Sequence, residues 1–338
     1  MISLIDRLKK GEILICDGAM GTSLQALGLE AGQAPEEWNI LNPEKVKKVH
    51  KSFIDAGCDM IITNTFGANP VKLKRAGLEE KFVDINTAAV KIAKEAAKNV
   101  VYVLGDIGPT GEFLKPIGNY NEEDFYAAFS AQAKMLAGSG VDAFIIETMS
   151  ALDESRIAVS ACKAIGLPVI ASMTFNKTEK GYRTMTGISV EQAAVEFLKL
   201  NCDCFGANCG CGSRQMVEIM KEFRKTLKEV RHCEESRACP AKLQRSREAG
   251  RRSNLLDGRE IASPPAGARN DDFGNVFLIA QPNAGMPKLV KDKTVFDETP
   301  ADFAKSVRDL VDLGVNIIGG CCGTVPEHIK EIAKIIKR

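Results

Sequence analysis

Almost no net charge is left over in this chain: 45 Lys and Arg against 44 Asp and Glu give +1. That balance removes the electrostatic case for nucleic-acid or membrane-surface partners. No apolar stretch approaches the roughly 18 residues needed to span a bilayer. The start, MISLIDRLKKGEILICDGAM, has neither an h-region nor a small-residue cleavage site, so no signal peptide is read and a cytoplasmic location is expected. No G-x-G-x-x-G follows the first strand-like run and no P-loop occurs, which weakens a dinucleotide-binding reading. Histidine is scarce as well: His50 and His328 fall in helical segments and His232 in an atypical stretch, so all three are expected to be structural. Cysteine, with eleven copies, is the exception. Without an export signal these thiols are expected to stay reduced, and an odd number cannot close into a full disulfide framework. Most are expected to be small buried hydrophobes.

What the chain does have is a rhythm. Eight short aliphatic runs each end in a polar or glycine-rich cluster: EILICDGAMGT (12–22), DMIITNTFGAN (59–69), VYVLGDIGPTG (101–111), DAFIIETMS (142–150), PVIASMTFN (168–176), CFGANCG (204–210), FLIAQPNAG (277–285) and NIIGGCCGT (316–324). Segments with helical spacing lie between them, for example PEKVKKVHKSFIDAG and TPADFAKSVRDLVDLG. Continuous apolar strands alternating with amphipathic helices indicate a parallel sheet covered by helices. Eight such units in 338 residues predict an α/β fold, a single (β/α)8 TIM-type barrel over 1–338. Residues 232–272 break the rhythm. They hold seven of the sixteen arginines but one of the twenty-nine lysines, and no sustained periodicity. They are expected to form an inserted, irregular and disordered or loosely ordered loop between helix six and strand seven, on the face of the barrel away from the chemistry.

In such a barrel the active site forms at the C-terminal ends of the strands. Cys209 ends strand six in GANCG, and Cys321 with Cys322 ends strand eight in GGCCGT. Adjacent cysteines rarely bond to each other. Three thiols from two nearby strand ends instead suit an open tetrahedral zinc site with one exchangeable position, against the alternative of three buried structural cysteines. Cys202 and Cys204 sit at the start of strand six and read as packing. The spacing C-x-C-x4-C-x-C lacks the paired hairpins of a structural zinc site. Cys211 is expected just past the strand end. A phosphosugar-type barrel would use the glycines of GGCCGT but has no role for its thiols.

DGAMGT, NTFGAN, GANCG and GGCCGT, in that order, resemble the homocysteine S-methyltransferases, from about residue 10 to the C-terminus apart from 232–272. The resemblance implies a (β/α)8 barrel holding Zn²⁺ through Cys209, Cys321 and Cys322. It also implies an enzyme that activates homocysteine as a zinc thiolate and methylates it to methionine. Asp17 and Glu147 are then expected to accept hydrogen bonds from the substrate ammonium, against a turn-forming role for Asp17 and a buried ion pair for Glu147. Backbone N–H groups of the 18–22 segment, with Gly18, Ala19 and Thr22, are expected to meet its carboxylate. Asn64 and Thr65 are expected to line the pocket or to cap its loop.

DIGPTGEFLKPIG (106–118), TMTG (184–187) and QPNAGMPKL (281–289) are most similar to the homocysteine domain of cobalamin-dependent methionine synthases. The resemblance implies methylcobalamin as donor, supplied in trans by a corrinoid protein or by cobalamin and folate modules. S-methylmethionine and betaine are the alternatives. Thr148 stands where betaine users have an aromatic residue. An inactive zinc- or thiol-binding relic is the alternative outside enzymes.

Overall fold

The computed structural model describes residues 2–30, 32–236, 255–256, 259–260, 276–290 and 293–337. Its eight principal strands are β1 (Leu14–Ile15), β2 (Met60–Ile62), β3 (Tyr102–Ile107), β4 (Ala143–Met149), β5 (Val169–Met173), β6 (Cys204–Gly212), β7 (Phe277–Asn283) and β8 (Ile317–Ile318). All pair in parallel, in the order β1-β8-β7-β6-β5-β4-β3-β2. A parallel bridge between Cys16 and Met60 joins the two ends and closes the barrel. Closure removes sheet edges, and burial on both faces explains why these strands read as unbroken apolar runs.

A helix follows each strand: α1 (Pro43–Asp55), α2 (Phe82–Ala97), α3 (Glu122–Gly138), α4 (Leu152–Lys163), α5 (Val190–Lys199), α6 (Ser213–Ser236), α7 (Pro300–Asp312) and α8 (Pro326–Ile336). Their starts are written locally. At α5, the Ser189 hydroxyl accepts from Gln192 N–H while Ser189 N–H donates to the Gln192 side chain, a reciprocal cap. At α7, the Thr299 hydroxyl accepts from Asp302 N–H ahead of Pro300, whose missing N–H is harmless there.

One device repeats at the bottom of the barrel. The residue preceding each even-numbered strand reaches sideways to a backbone N–H at the start of the preceding strand. Asp59 accepts from Ile15, Asp142 from Val103, Asp203 from Val169 and Asn316 from Leu278, at 2.7–3.0 Å. Two residues before each of these, Gly57, Gly140, Asn201 or Gly314 takes positive φ and ends the preceding helical segment. The four stitches fix strand register, and with it the level at which each strand ends.

Alternation then determines which side chains face inward. Leu14, Met60, Tyr102, Leu104, Ala143, Ile145, Ile170, Cys204, Phe277, Ile279 and Ile317 form one buried cluster inside the barrel, plugged from below by Leu4 and Leu8 of the N-terminal helix Leu4–Lys9. Two residues further along, the inward positions become Asp106 on β3, Glu147 on β4 and Gln281 on β7. On β6 the inward Cys204 leads in the same way, four residues on, to Asn208. The interior is apolar below and polar at the strand ends, as the sequence clusters predict.

Residues 232–236 extend α6 rather than opening the irregular stretch. Leu255–Leu256 and Arg259–Glu260 pair antiparallel. The rest of the stretch expected to be loosely ordered lies outside the described residues. No helix among the described residues is long and apolar enough to cross a membrane.

Candidate metal and substrate site

Strand β6 runs on through Cys209 to Gly212, so Cys211 lies within it rather than past its end. The strand is bent, however. Cys209 and Gly210 both take positive φ, 56° and 68°. That conformation costs a non-glycine residue roughly 1–2 kcal/mol. A Cβ on Gly210 would also meet the Thr174 side chain at 2.6 Å and Phe175 O at 2.7 Å. The pairing of β6 with β7 shifts at this point, between Gln281 and Asn283.

The segment after β8 is laced to both neighbours. Gly320 N–H donates to Asp17 O, Cys321 N–H to Pro282 O, and Ala284 N–H to Cys322 O. The Thr324 hydroxyl donates to Cys321 O and accepts from Ala19 N–H. This lacing brings Cys321 and Cys322 to Cys209: the three sulfurs lie within 4.8 Å of one another, with Cys209 and Cys322 at 4.0 Å. Thiol hydrogen bonds from Cys321 and Cys322 pull the Cys209 thiol down to about 3. Hydrogen bonding to Cys209, then burial and the Cys209 charge, hold Cys321 well above the ordinary thiol range and Cys322 at about 12.

The donor set fits zinc. Zn–S bonds near 2.3 Å in a tetrahedron separate sulfurs by roughly 3.8 Å, close to the spacing present. Asn283, at the end of β7, helps to lower the Cys209 thiol, and its buried Oδ1 has no partner among the described residues. Sequence reading placed Asn283 at a strand end without giving it a role. Among the described residues no other group brings three candidate ligand atoms this close. Cys204 packs inside the barrel, while Cys211, 2% exposed, lies in the outer core and Cys202 packs against it.

The trio opens onto a cavity of about 770 Å³, within the range of small-molecule sites, whose wall also carries Asp17, Asp106 and Glu147. Burial first, then the neighbouring Cys209 and Asp17 charges, raise Glu147 to about 8. No hydrogen bond or ion pair holds its carboxyl among the described residues. Burial also raises Asp17 to about 7, but this carboxyl is already engaged: Oδ2 accepts from Ile62 N–H at 2.9 Å and Oδ1 from the Cys16 thiol at 3.6 Å.

Other expected pocket residues are engaged in the scaffold. Asn64 lines the cavity, yet its amide donates to Pro35 O and Asn39 Oδ1. Thr65 donates to Asp106 O and is fully buried outside the cavity wall. Gly18, Ala19 and Thr22 line the wall. Ala19 N–H is taken by Thr324, and the Thr22 hydroxyl accepts from Gly323 N–H. His50 is buried in α1. His328 bonds Val325 N–H and Glu298 O, and neither histidine lines the cavity.

Sequence reading missed Asn208. Its Oδ1 accepts from Thr148 N–H and Ser172 Oγ, and its Nδ2 donates to Thr148 Oγ1. These bonds hold Thr148 at φ 60°, directly after Glu147. The residue's neutrality in sequence gave no hint; only its inward position beside two cysteine-bearing segments does.

Fold and site define a (β/α)8 barrel that gathers three thiols, a soft-metal donor set, at the mouth of a carboxyl-lined cavity. Residues 14–336 match the model of the homocysteine S-methyltransferase family, and the chain belongs to that family. A methionine synthase of Mycobacterium leprae (strain TN) is 26% identical over 345 residues, covering 96% of this chain and 24% of that protein. The chain thus spans about a quarter of the length of this relative. The homocysteine methyltransferase MmuM from Escherichia coli shares the fold. Its metallated form superposes with a TM-score of 0.69 at 18% identity over 98% of both chains, and its oxidized form with 0.68 at 19% over 97% of both.

Proposed function

We propose that the chain transfers a methyl group to the sulfur of homocysteine, forming methionine, with zinc held by Cys209, Cys321 and Cys322. The observation that carries this reading is the placement of those three sulfurs and the uncommitted Glu147 carboxyl on one cavity wall. One end suits a thiol and the other an ammonium. A free thiol has a pKa near about 8.5 and is mostly protonated at neutral pH. Zinc bound by the three cysteines would lower that pKa and supply the thiolate nucleophile. Glu147 accepts a hydrogen bond from the substrate ammonium and so fixes the direction of the sulfur. Asp17, oriented by Ile62 N–H, adds negative charge beside it. The substrate sulfur's electron pair forms the new S–CH₃ bond as the donor–CH₃ bond breaks, its electrons leaving with the donor. No histidine base is needed.

The methyl donor in this reading is a corrinoid, methylcobalamin, carried by a separate module. The likeness to one quarter of a much longer methionine synthase supports it. Methionine formation should be assayed in parallel with methylcobalamin, S-methylmethionine and betaine. The expected result is zinc-dependent product with methylcobalamin, abolished by a chelator. Absence of methionine with every donor, in protein that retains zinc, would leave a thiol-binding protein without turnover.

A further inference from the structure

The polar layer at the strand ends contains a carboxyl that the fold itself does not use. Asp106 points inward at the end of β3, is 4% exposed, and lines the cavity. Its Oδ1 is buried with no partner among the described residues. The backbone around it is fully employed: Asp106 N–H donates to Thr63 Oγ1 at 3.0 Å, and its carbonyl accepts from Thr65 Oγ1 at 2.8 Å and Gln132 Nε2 at 3.3 Å. The side chain is therefore not what positions the strand. A buried carboxyl without a partner costs free energy that an apolar residue would not. The one cationic side chain on this wall, Lys72, does not relieve it. Its ammonium sits 4.4 Å from the Phe66 ring centroid and forms no ion pair among the described residues.

Asp106 pairs with Ile145 in register, so Glu147 is the next inward residue on the adjacent strand. Two uncommitted carboxyls thus stand side by side on the cavity wall. Burial, then the charges of Glu147, Glu36 and Asp17, hold Asp106 well above the ordinary carboxylate range, with Lys72 acting the other way. These acids do not form a chelate: among the described residues the cysteine trio alone brings three ligand atoms within 4.8 Å of one another. Two neighbouring acceptors suit an ammonium, whose three N–H donors reach separate oxygens.

We propose that Asp106 is a specificity-determining residue that accepts a hydrogen bond from the substrate's α-ammonium alongside Glu147, so that the cavity selects thiols bearing a free α-amine. This rests on the homocysteine reading above.

Calorimetric titration tests it, using zinc-loaded wild-type, Asp106→Asn and Asp106→Leu proteins with L-homocysteine and with 4-mercaptobutyrate, which lacks only the amine. Wild-type protein should bind homocysteine more tightly than 4-mercaptobutyrate by about tenfold or more. Both variants should lose most of that preference, weakening homocysteine by a similar factor while leaving 4-mercaptobutyrate and zinc content unchanged. Metal-free Asp106→Leu should also melt above wild type, because a buried carboxyl without a partner has been removed. If Asp106→Leu fails to fold, the isosteric Asp106→Asn carries the titration. Variants that bind homocysteine as wild type does, or lose both thiols equally, overturn the inference alone. A wild-type protein that binds neither thiol overturns the functional reading, and this inference with it.

Discussion

Replacing Cys209, Cys321 or Cys322 with alanine should strip the protein of zinc and of methyl transfer while leaving the barrel folded. Wild-type protein should carry about one zinc per chain with Zn–S distances near 2.3 Å. Each replacement leaves two sulfurs where the site needs three. The loss in affinity should exceed the roughly 10–100-fold seen when a group that merely orients a ligand is removed. The fold should survive because all three residues are half-buried at the cavity mouth, not packed in the core. Alanine at Cys209 retains the same left-handed backbone demand, so that strain is unchanged. Cys202→Ala and Cys204→Ala are the matching controls: both positions pack away from the mouth and should keep full zinc. Elemental analysis with circular dichroism reads both quantities. Full zinc occupancy in Cys321→Ala, held through Cys202 and Cys204, would contradict the assignment.

Glu147→Ala should weaken homocysteine by about ten- to a hundredfold without changing zinc content, the equivalent of a charge-assisted hydrogen bond of roughly 1.5–3 kcal/mol. Glu147 makes no hydrogen bond or ion pair in the scaffold among the described residues, so its loss should not destabilise the fold. Burial raises it to about 8, so truncation removes a group the fold accommodates at a cost. In the proposed function a substrate ammonium would supply the missing counter-charge. Homocysteine binding measured against zinc content separates the two roles. Unchanged binding would make Glu147 structural and move the ammonium site elsewhere.

The barrel was legible because its signals are local and repeated. Apolar runs end in polar clusters eight times, and period-two alternation inside each run carries straight through to the inward residues of the site. The convergence of Cys209, Cys321 and Cys322 was legible because each sits in the cluster that ends an apolar run, on strands two places apart around the barrel. What could not be read is how donors and acceptors are shared out across the fold. Asn64 lines the cavity and Thr65 does not, and in both cases scaffold groups of Pro35, Asn39 and Asp106 take the side-chain donors. Asp17 looks free, yet Ile62 N–H holds it. Asp106 is the reverse case, a strand-end acid that tertiary packing leaves without a partner. Cys211 was displaced for a different reason. Two successive left-handed residues let β6 bend at Cys209 and continue, so the next cysteine turns into the core. Cysteine ordinarily avoids that backbone conformation, and its own sequence does not announce it.

In the proposed function the three thiols and the carboxyl-lined cavity form one homocysteine site. Its most direct test is X-ray absorption at the zinc edge of the loaded protein, with and without L-homocysteine. The expected count is three sulfurs at about 2.3 Å in the free protein and four with homocysteine bound. A count that stays at three while homocysteine binds would place the substrate sulfur away from the cysteines and contradict it.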